Sequence, residues 1–164
     1  MTGYSFSRLL PEDETEVIDI FNYYIANSFA AFPSQTVPYE FFNLFLAACK
    51  DYPSVVAKEQ DGKIAGFGLL RFHNMMPAFS RTAEVSYFVR PGCTGKGLGT
   101  QMLKQLEKEG KSQEISVILA CISSLNEGSI RFHEKNGFVH CGQFKNVAVK
   151  NGVVFDTVWM QKFI

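Results

Sequence analysis

The chain has 164 residues, with Lys plus Arg equal to Asp plus Glu at 16 each; that length suffices to bury a hydrophobic core as one domain over residues 1–164, and the zero net charge provides no field toward nucleic acid or an anionic membrane. Its four cysteines, Cys49, Cys93, Cys121 and Cys141, are widely spread, with neither a C-x-x-C pair nor the Cys/His clustering of a metal site, and read as reduced thiols in a cytoplasmic protein. The N-terminal MTGYSFSRLLPEDE lacks a basic segment followed by a long apolar one, and the other apolar runs are too short or interrupted to span a bilayer, so neither secretion nor membrane insertion is expected.

Residues 4–9 alternate like a strand. Pro11 and the acidic Glu12, Asp13 and Glu14 then suit the positive end of a helix dipole. A first helix follows, with Val17, Ile18, Ile20, Phe21, Tyr24 and Ile25 at helical spacing and an end at Asn27-Ser28. Residues 29–38 carry two prolines and no periodicity, which predicts a loop, and residues 39–50 predict a second helix rich in aromatic side chains. Residues 54–58 and 64–72 read as a strand pair across Asp61-Gly62.

Residues 81–90 form the next expected strand, stopped by Pro91, and a glycine-rich turn follows. An amphipathic helix over 97–109 places Leu98, Met102, Leu103 and Leu106 on one face, with Gly110 as its expected stop. The apolar run 115–120 predicts a strand covered on both sides. Asn126 is placed to cap a short helix ending at Gly137, and strands near 138–144 and 153–163 close the chain around the Asn151-Gly152 turn. This order implies an α+β fold, a mixed sheet of about seven strands flanked by about four helices.

The segment 89–100, VRPGCTGKGLGT, sets three glycines at alternate positions between a strand and a helix. Glycine lets the main chain approach a ligand, and the unpaired N–H groups of a first helical turn face an anion there, so a pyrophosphate fits. A P-loop is ruled out because Lys96 is followed by Gly97 rather than Ser or Thr, and a dinucleotide fingerprint because Met102 stands where its third glycine belongs. Thr94-Gly-Lys-Gly-Leu-Gly99 resembles the [Q/R]-x-x-G-x-[G/A] loop of the Gcn5-related N-acetyltransferases, matching at Gly97 and Gly99 and departing at Thr94. Residues 126–138, NEGSIRFHEKNGF, are similar to the later N-x-x-[AS]-x-x-x-[Y/H]-x-K-x-G-F motif of that superfamily at every anchor. Residues 77–89, PAFSRTAEVSYFV, resemble the corresponding stretch of its phosphinothricin acetyltransferase-like branch, and His133 agrees with that branch.

The resemblance implies a mostly antiparallel central sheet and an acetyl-CoA-dependent transfer to the primary amine of a small amino-acid-like substrate, in a cytoplasmic homodimer. It implies that Phe88, Val89 and Arg90 pair with the pantetheine arm, Phe88 or Val89 freeing an amide at a strand bulge for the oxyanion. Thr94, Gly95, Lys96, Gly97, Leu98, Gly99 and Thr100 would hold the diphosphate, and Asn126 and Ser129 would reach the cofactor. Strand alternation puts Glu84, Ser86 and Phe88 on one face, and Glu84, flanked by aromatic and apolar neighbours, is the candidate base for the amine. A structural ion pair of Glu84 with Arg81 is the bland alternative. His133 is the candidate either to give a proton to the departing thiolate or to bind its substrate-side neighbours, Arg71 is the partner of a substrate carboxylate, Ser86 a substrate neighbour and Phe32 a pocket lid. Cys93 and Cys121 are expected to be buried rather than nucleophilic, since direct transfer needs no acyl-cysteine. The competing readings are a non-catalytic acyl-CoA-binding module and an acetyltransferase of protein N-termini.

Overall fold

The computed structural model describes residues 3–164. Seven strands, β1 (Ser5–Ser7), β2 (Ser54–Lys58), β3 (Ile64–Phe72), β4 (Thr82–Val89), β5 (Val117–Ser123), β6 (Val139–Lys150) and β7 (Val153–Phe163), form one sheet in the order β1-β2-β3-β4-β5-β7-β6. Every neighbouring pair is antiparallel except β4 and β5, which run parallel. This is the mixed α+β sheet that the element order implies, and it is mostly antiparallel, as the resemblance implies. Among the described residues no helix is long and apolar enough to cross a membrane.

Four helices, α1 (Glu14–Asn27), α2 (Phe42–Ala48), α3 (Leu98–Ser112) and α4 (Glu127–Lys135), cover the two faces. Alternation along the strands decides which side chains meet which helices. Val56, Phe67 and Leu69 pack against α1 and α2, whereas Val55, Leu70, Ala83 and Val85 pack against α3. The apolar stripe of α3 is buried as its spacing demands, with Leu98, Met102, Leu103 and Leu106 all at 1% exposure or less. Each such side chain contributes roughly 1.5–3 kcal/mol of transfer free energy.

Two expectations are corrected. Gly110 does not end α3, which runs on to Ser112. A Cβ on Gly110 would come within 3.4 Å of both Leu70 Cδ1 and Ile164 Cδ1, so glycine serves close helix–sheet approach there, and Glu114, at φ 62°, takes the left-handed position beyond the helix. The sixth strand does not stop near residue 144. It continues to Lys150, across an irregularity between Phe144 and Ala148 where the Asn146 amide donates to Asp156 Oδ1 at 2.7 Å. The closing turn has Asn151 at φ 51° and Gly152 at φ 78°, the geometry of a two-residue hairpin that matches strand twist.

The connection from β4 through α3 to β5 fixes the site. These strands pair only over Thr82, Ala83 and Glu84 with Val117, Ile118 and Leu119. Beyond Glu84 they diverge, which opens the middle of the sheet.

Candidate active site

A cavity of about 650 Å³ occupies this opening, walled by residues 85–89 of β4 and 120–123 of β5. The Arg90 amide donates to Ala65 O at 2.7 Å. Because main-chain direction alternates along a strand, the amides of Ser86, Phe88 and Arg90 face β3, while those of Val85, Tyr87 and Val89 face the opening. The expected bulge is not there, since β3 and β4 keep an unbroken register from Gly66–Val89 to Phe72–Ala83. The free amides arise instead from the divergence of β4 and β5. Of the three residues expected to pair with a pantetheine arm, Val89 alone presents its main chain to the cavity. Its carbonyl accepts from the Tyr24 hydroxyl at 2.6 Å. The Arg90 side chain turns away to Ile64 O at 2.9 Å and to Glu59.

At one end of the cavity lies the glycine turn. Gly97, the residue before α3, has φ 79°, a left-handed conformation that glycine adopts without strain. The first α3 amide with an intrahelical partner is that of Gln101, which donates to Gly97 O at 3.2 Å. The amides of Leu98, Gly99 and Thr100 are therefore the unpaired donors of the helix start, aligned with the positive end of its dipole. Thr94, Gly95, Gly97, Leu98, Gly99 and Thr100 all line the cavity, while the exposed Lys96 side chain does not. Gly99 also lets α4 come close, since a Cβ there would lie 3.2 Å from Phe132 Cε2.

From α4, Asn126, Ser129 and His133 reach the cavity. Asn126 Oδ1 caps the helix by accepting from the Ser129 amide at 3.2 Å. His133 is 3% exposed. Its Nδ1 lies 2.7 Å from Ser129 O, and because a carbonyl only accepts, Nδ1 carries the proton. Nε2 of the neutral ring then accepts from the Tyr87 hydroxyl. Burial holds the His133 pKa below its ordinary value, and burial, with the Glu107 charge second, pushes the Tyr87 pKa well above its own. The expectation that His133 protonates a departing thiolate is thus corrected, because its one proton is committed to Ser129. His133 instead orients Tyr87, which stands on the cavity wall.

The α1 and α2 face carries the second group of polar side chains. Arg71 and Glu84 are cross-strand partners on β3 and β4. Arg71 Nη2 donates to Glu84 Oε2 at 2.8 Å, and Nη1 donates to Ser86 Oγ at 2.5 Å. His73 Nδ1 lies 2.8 Å from the other carboxylate oxygen, Oε1. The apolar setting expected for Glu84 is therefore replaced by a polar one, and its ion-pair partner is Arg71, not Arg81, whose Nε donates to Glu114 O at 3.2 Å. Ser86 lines the cavity and joins it to this group through Arg71, whereas Glu84 and Arg71 are not among its lining residues.

Phe32 is displaced from its expected role. It stacks on Phe155 at 6.2 Å and is half-exposed, while Ala30 from the same loop lines the cavity. Cys93 is buried beside Arg90 Nη2 at 3.3 Å. Cys121 lines the cavity, and its pKa is pushed up to about 11 by burial and, second, by the Glu84 charge. Tyr24, Tyr87 and His73 were not singled out from sequence. Tyr87 is the one with a sequence signal, lying one residue from the Ser86–Phe88 face in a stretch matched to the motif.

The acetyltransferase (GNAT) family profile matches residues 17–138. An L-methionine sulfoximine/L-methionine sulfone acetyltransferase of Pseudomonas aeruginosa is 35% identical over 114 residues, which cover 70% of this chain and 66% of that enzyme. The phosphinothricin N-acetyltransferase of Streptomyces coelicolor is 26% identical over 155 residues, covering 92% of this chain and 91% of the relative. Among solved structures, yncA of Salmonella typhimurium with its cofactor acetyl-CoA superposes with a TM-score of 0.88 at 28% identity, over 98% of this chain and 93% of that one. The residues matched by the profile include β4, β5, α3 and α4, the elements that wall the cavity, and the chain belongs to the GNAT family of acetyltransferases.

Proposed function

We propose that this chain is an acetyl-CoA-dependent N-acetyltransferase, one domain over its 164 residues, acting on the primary amine of a small amino-acid-like compound of phosphinothricin or methionine sulfoximine type by direct transfer in a ternary complex. The observation that carries this reading is the opening between β4 and β5, which joins a diphosphate-type anion site on the α3 and α4 side to the Arg71–Glu84–Ser86 group on the α1 and α2 side. The names of the relatives above support the amino-acid-like acceptor.

The residues fit the cofactor. Unpaired amides at Leu98, Gly99 and Thr100 suit a diphosphate, and the Val89 carbonyl suits an N–H of a pantetheine arm laid along the strand. When bound, acetyl-CoA supplies an acetyl group activated as a thioester. The Val89 amide, fixed in a sheet and free of a strand partner, would meet the charge that develops on the acyl oxygen. Glu84 would take the proton of the attacking amine, and Arg71, with donors to spare beyond Glu84 and Ser86, would hold the acceptor's carboxylate. His133 would keep the Tyr87 hydroxyl in place on the cavity wall.

A thiol-release assay across a panel of amino acids and amine toxins tests this. Phosphinothricin and methionine sulfoximine are expected to release thiol with turnover, and no release with any amine defeats the reading. Cys121→Ser is expected to keep kcat within about twofold, because a thiol with a pKa of about 11 stays protonated at neutral pH and forms no acyl intermediate. Loss of activity in that variant would point to an acyl-enzyme route.

We further propose a cytoplasmic homodimer built on the β6–β7 ribbon. This ribbon exposes Phe144, Val147, Val149 and Val154 together, an apolar patch of the kind that marks association. Sedimentation equilibrium is expected to return twice the 18.4 kDa chain mass, and Val149→Asp to return the single mass.

A further inference from the structure

Lys150, the last residue of β6, is 1% exposed, although lysine is rarely buried without a partner. Its Nζ donates to three main-chain carbonyls, Ile25 O at 2.8 Å, Ser28 O at 2.7 Å and Ala31 O at 2.8 Å. An ammonium has three donors, and all three are used. Ile25 O belongs to the last turn of α1, where carbonyls lack helical partners and the dipole favours a cation. The other two carbonyls belong to the turn that leads out of α1. Lys150 is separated from all three by more than a hundred residues, so the contact ties the tip of the β6–β7 hairpin to the α1–α2 connection.

That connection is a wall of the site. Ala30 lines the cavity, and Tyr24, whose carbonyl accepts from Ser28 Oγ at 2.8 Å, lines it too. Phe29 and Phe32 lean on Phe155 of β7 at 5.5 and 6.2 Å, so Lys150 and Phe155 hold the same turn from two points. The turn follows α1 on the α1 and α2 side of the sheet, the side of Arg71 and Glu84, and Tyr24, one helical turn earlier, donates to Val89 O at 2.6 Å. A methionine would fill the same space without the cost of burying a charge. What the charge adds is a directional hold on three carbonyls that share no secondary-structure partner.

We infer that Lys150 is a positioning residue for the acceptor amine, fixing the residue 28–31 turn as a wall of the cavity on the α1 and α2 side. The inference rests on the proposed acetyl transfer for its kinetic readout. In Lys150→Met the acceptor KM is expected to rise at least about tenfold, with kcat reduced less and the acetyl-CoA Kd within about twofold of the parent. Lys150→Arg, which keeps the charge and several donors, is expected to recover most of the acceptor KM. A second readout needs no turnover. Amides of residues 28–32 in Lys150→Met are expected to exchange hydrogen at least about a hundredfold faster, while those of α3 stay protected.

If the parent protein transfers acetyl to no amine, the function reading fails, and hydrogen exchange alone judges the lysine. An unchanged acceptor KM in a folded Lys150→Met, a parallel loss of cofactor affinity, or undisturbed protection of residues 28–32 overturns the inference. Should Lys150→Met not fold, Lys150→Gln, with two donors left, is held to the same criteria.

Discussion

Glu84→Gln is expected to lower kcat by about a hundredfold to ten-thousandfold while the acetyl-CoA Kd stays within about twofold, because a positioned base that removes the proton of the attacking amine is worth that much. The split follows from where the residue stands. Glu84 sits on the α1 and α2 face with Arg71 and His73 on its two oxygens, whereas the main chain proposed to hold the cofactor is at Val89 and in the first turn of α3. Glutamine keeps the shape and can still accept from Arg71, so the fold is retained while the proton acceptor is lost. Stopped-flow or steady-state turnover, together with calorimetric titration of acetyl-CoA, measures both quantities. Equal turnover in parent and variant would make the Arg71–Glu84 contact a structural ion pair. A raised amine KM with unchanged kcat would assign Glu84 to acceptor binding.

Gly97→Val is expected to weaken acetyl-CoA binding by at least about tenfold. At φ 79° a side chain with a branched Cβ is strained, on the order of 1–2 kcal/mol for the left-handed conformation alone. The strain is relieved by rotating the residue toward negative φ, which turns the Leu98 amide and the start of α3 off the cavity. Apart from its two chain neighbours, no heavy atom of the described residues lies within 4 Å of the Gly97 Cβ position, so the effect comes from the backbone and not from crowding. The control is Gly62→Val in the β2–β3 turn, where φ is 86° and space is equally open. A comparable loss of stability is expected there, with no change in cofactor affinity. Titration calorimetry and thermal unfolding of the two variants separate strain from binding, and equal affinities in parent and Gly97→Val would remove the α3 turn from the cofactor site.

The sequence by itself determined whatever is written in short range. The Asp61-Gly62 and Asn151-Gly152 turns, the apolar stripe of α3, the Asn126 cap and the Gly97–Gly99 spacing each depend on residues within a few positions of one another, where backbone preference and side-chain period act directly. The two motifs also located the glycine turn and the α4 contribution to the cavity. Even the face shared by Glu84, Ser86 and Phe88 followed from alternation alone.

The tertiary structure decided what depends on register and docking between distant segments. That β4 leaves β5 after three paired residues, and so frees the Val85, Tyr87 and Val89 amides without a bulge, is a property of two strands separated by a helix. His73 joins Glu84 only because the chain beyond β3 folds back, and the proton on His133 is assigned by a carbonyl one turn earlier together with a hydroxyl 46 residues away. The length of β6 was hidden because Asp156, on the next strand, supports the irregularity that local pattern reads as an end. In the sequence Lys150 is simply the polar residue before the Asn151-Gly152 turn. Its burial arises because three carbonyls at the end of α1 lack partners of their own, and only the packing of the hairpin against that helix end brings the charge to them.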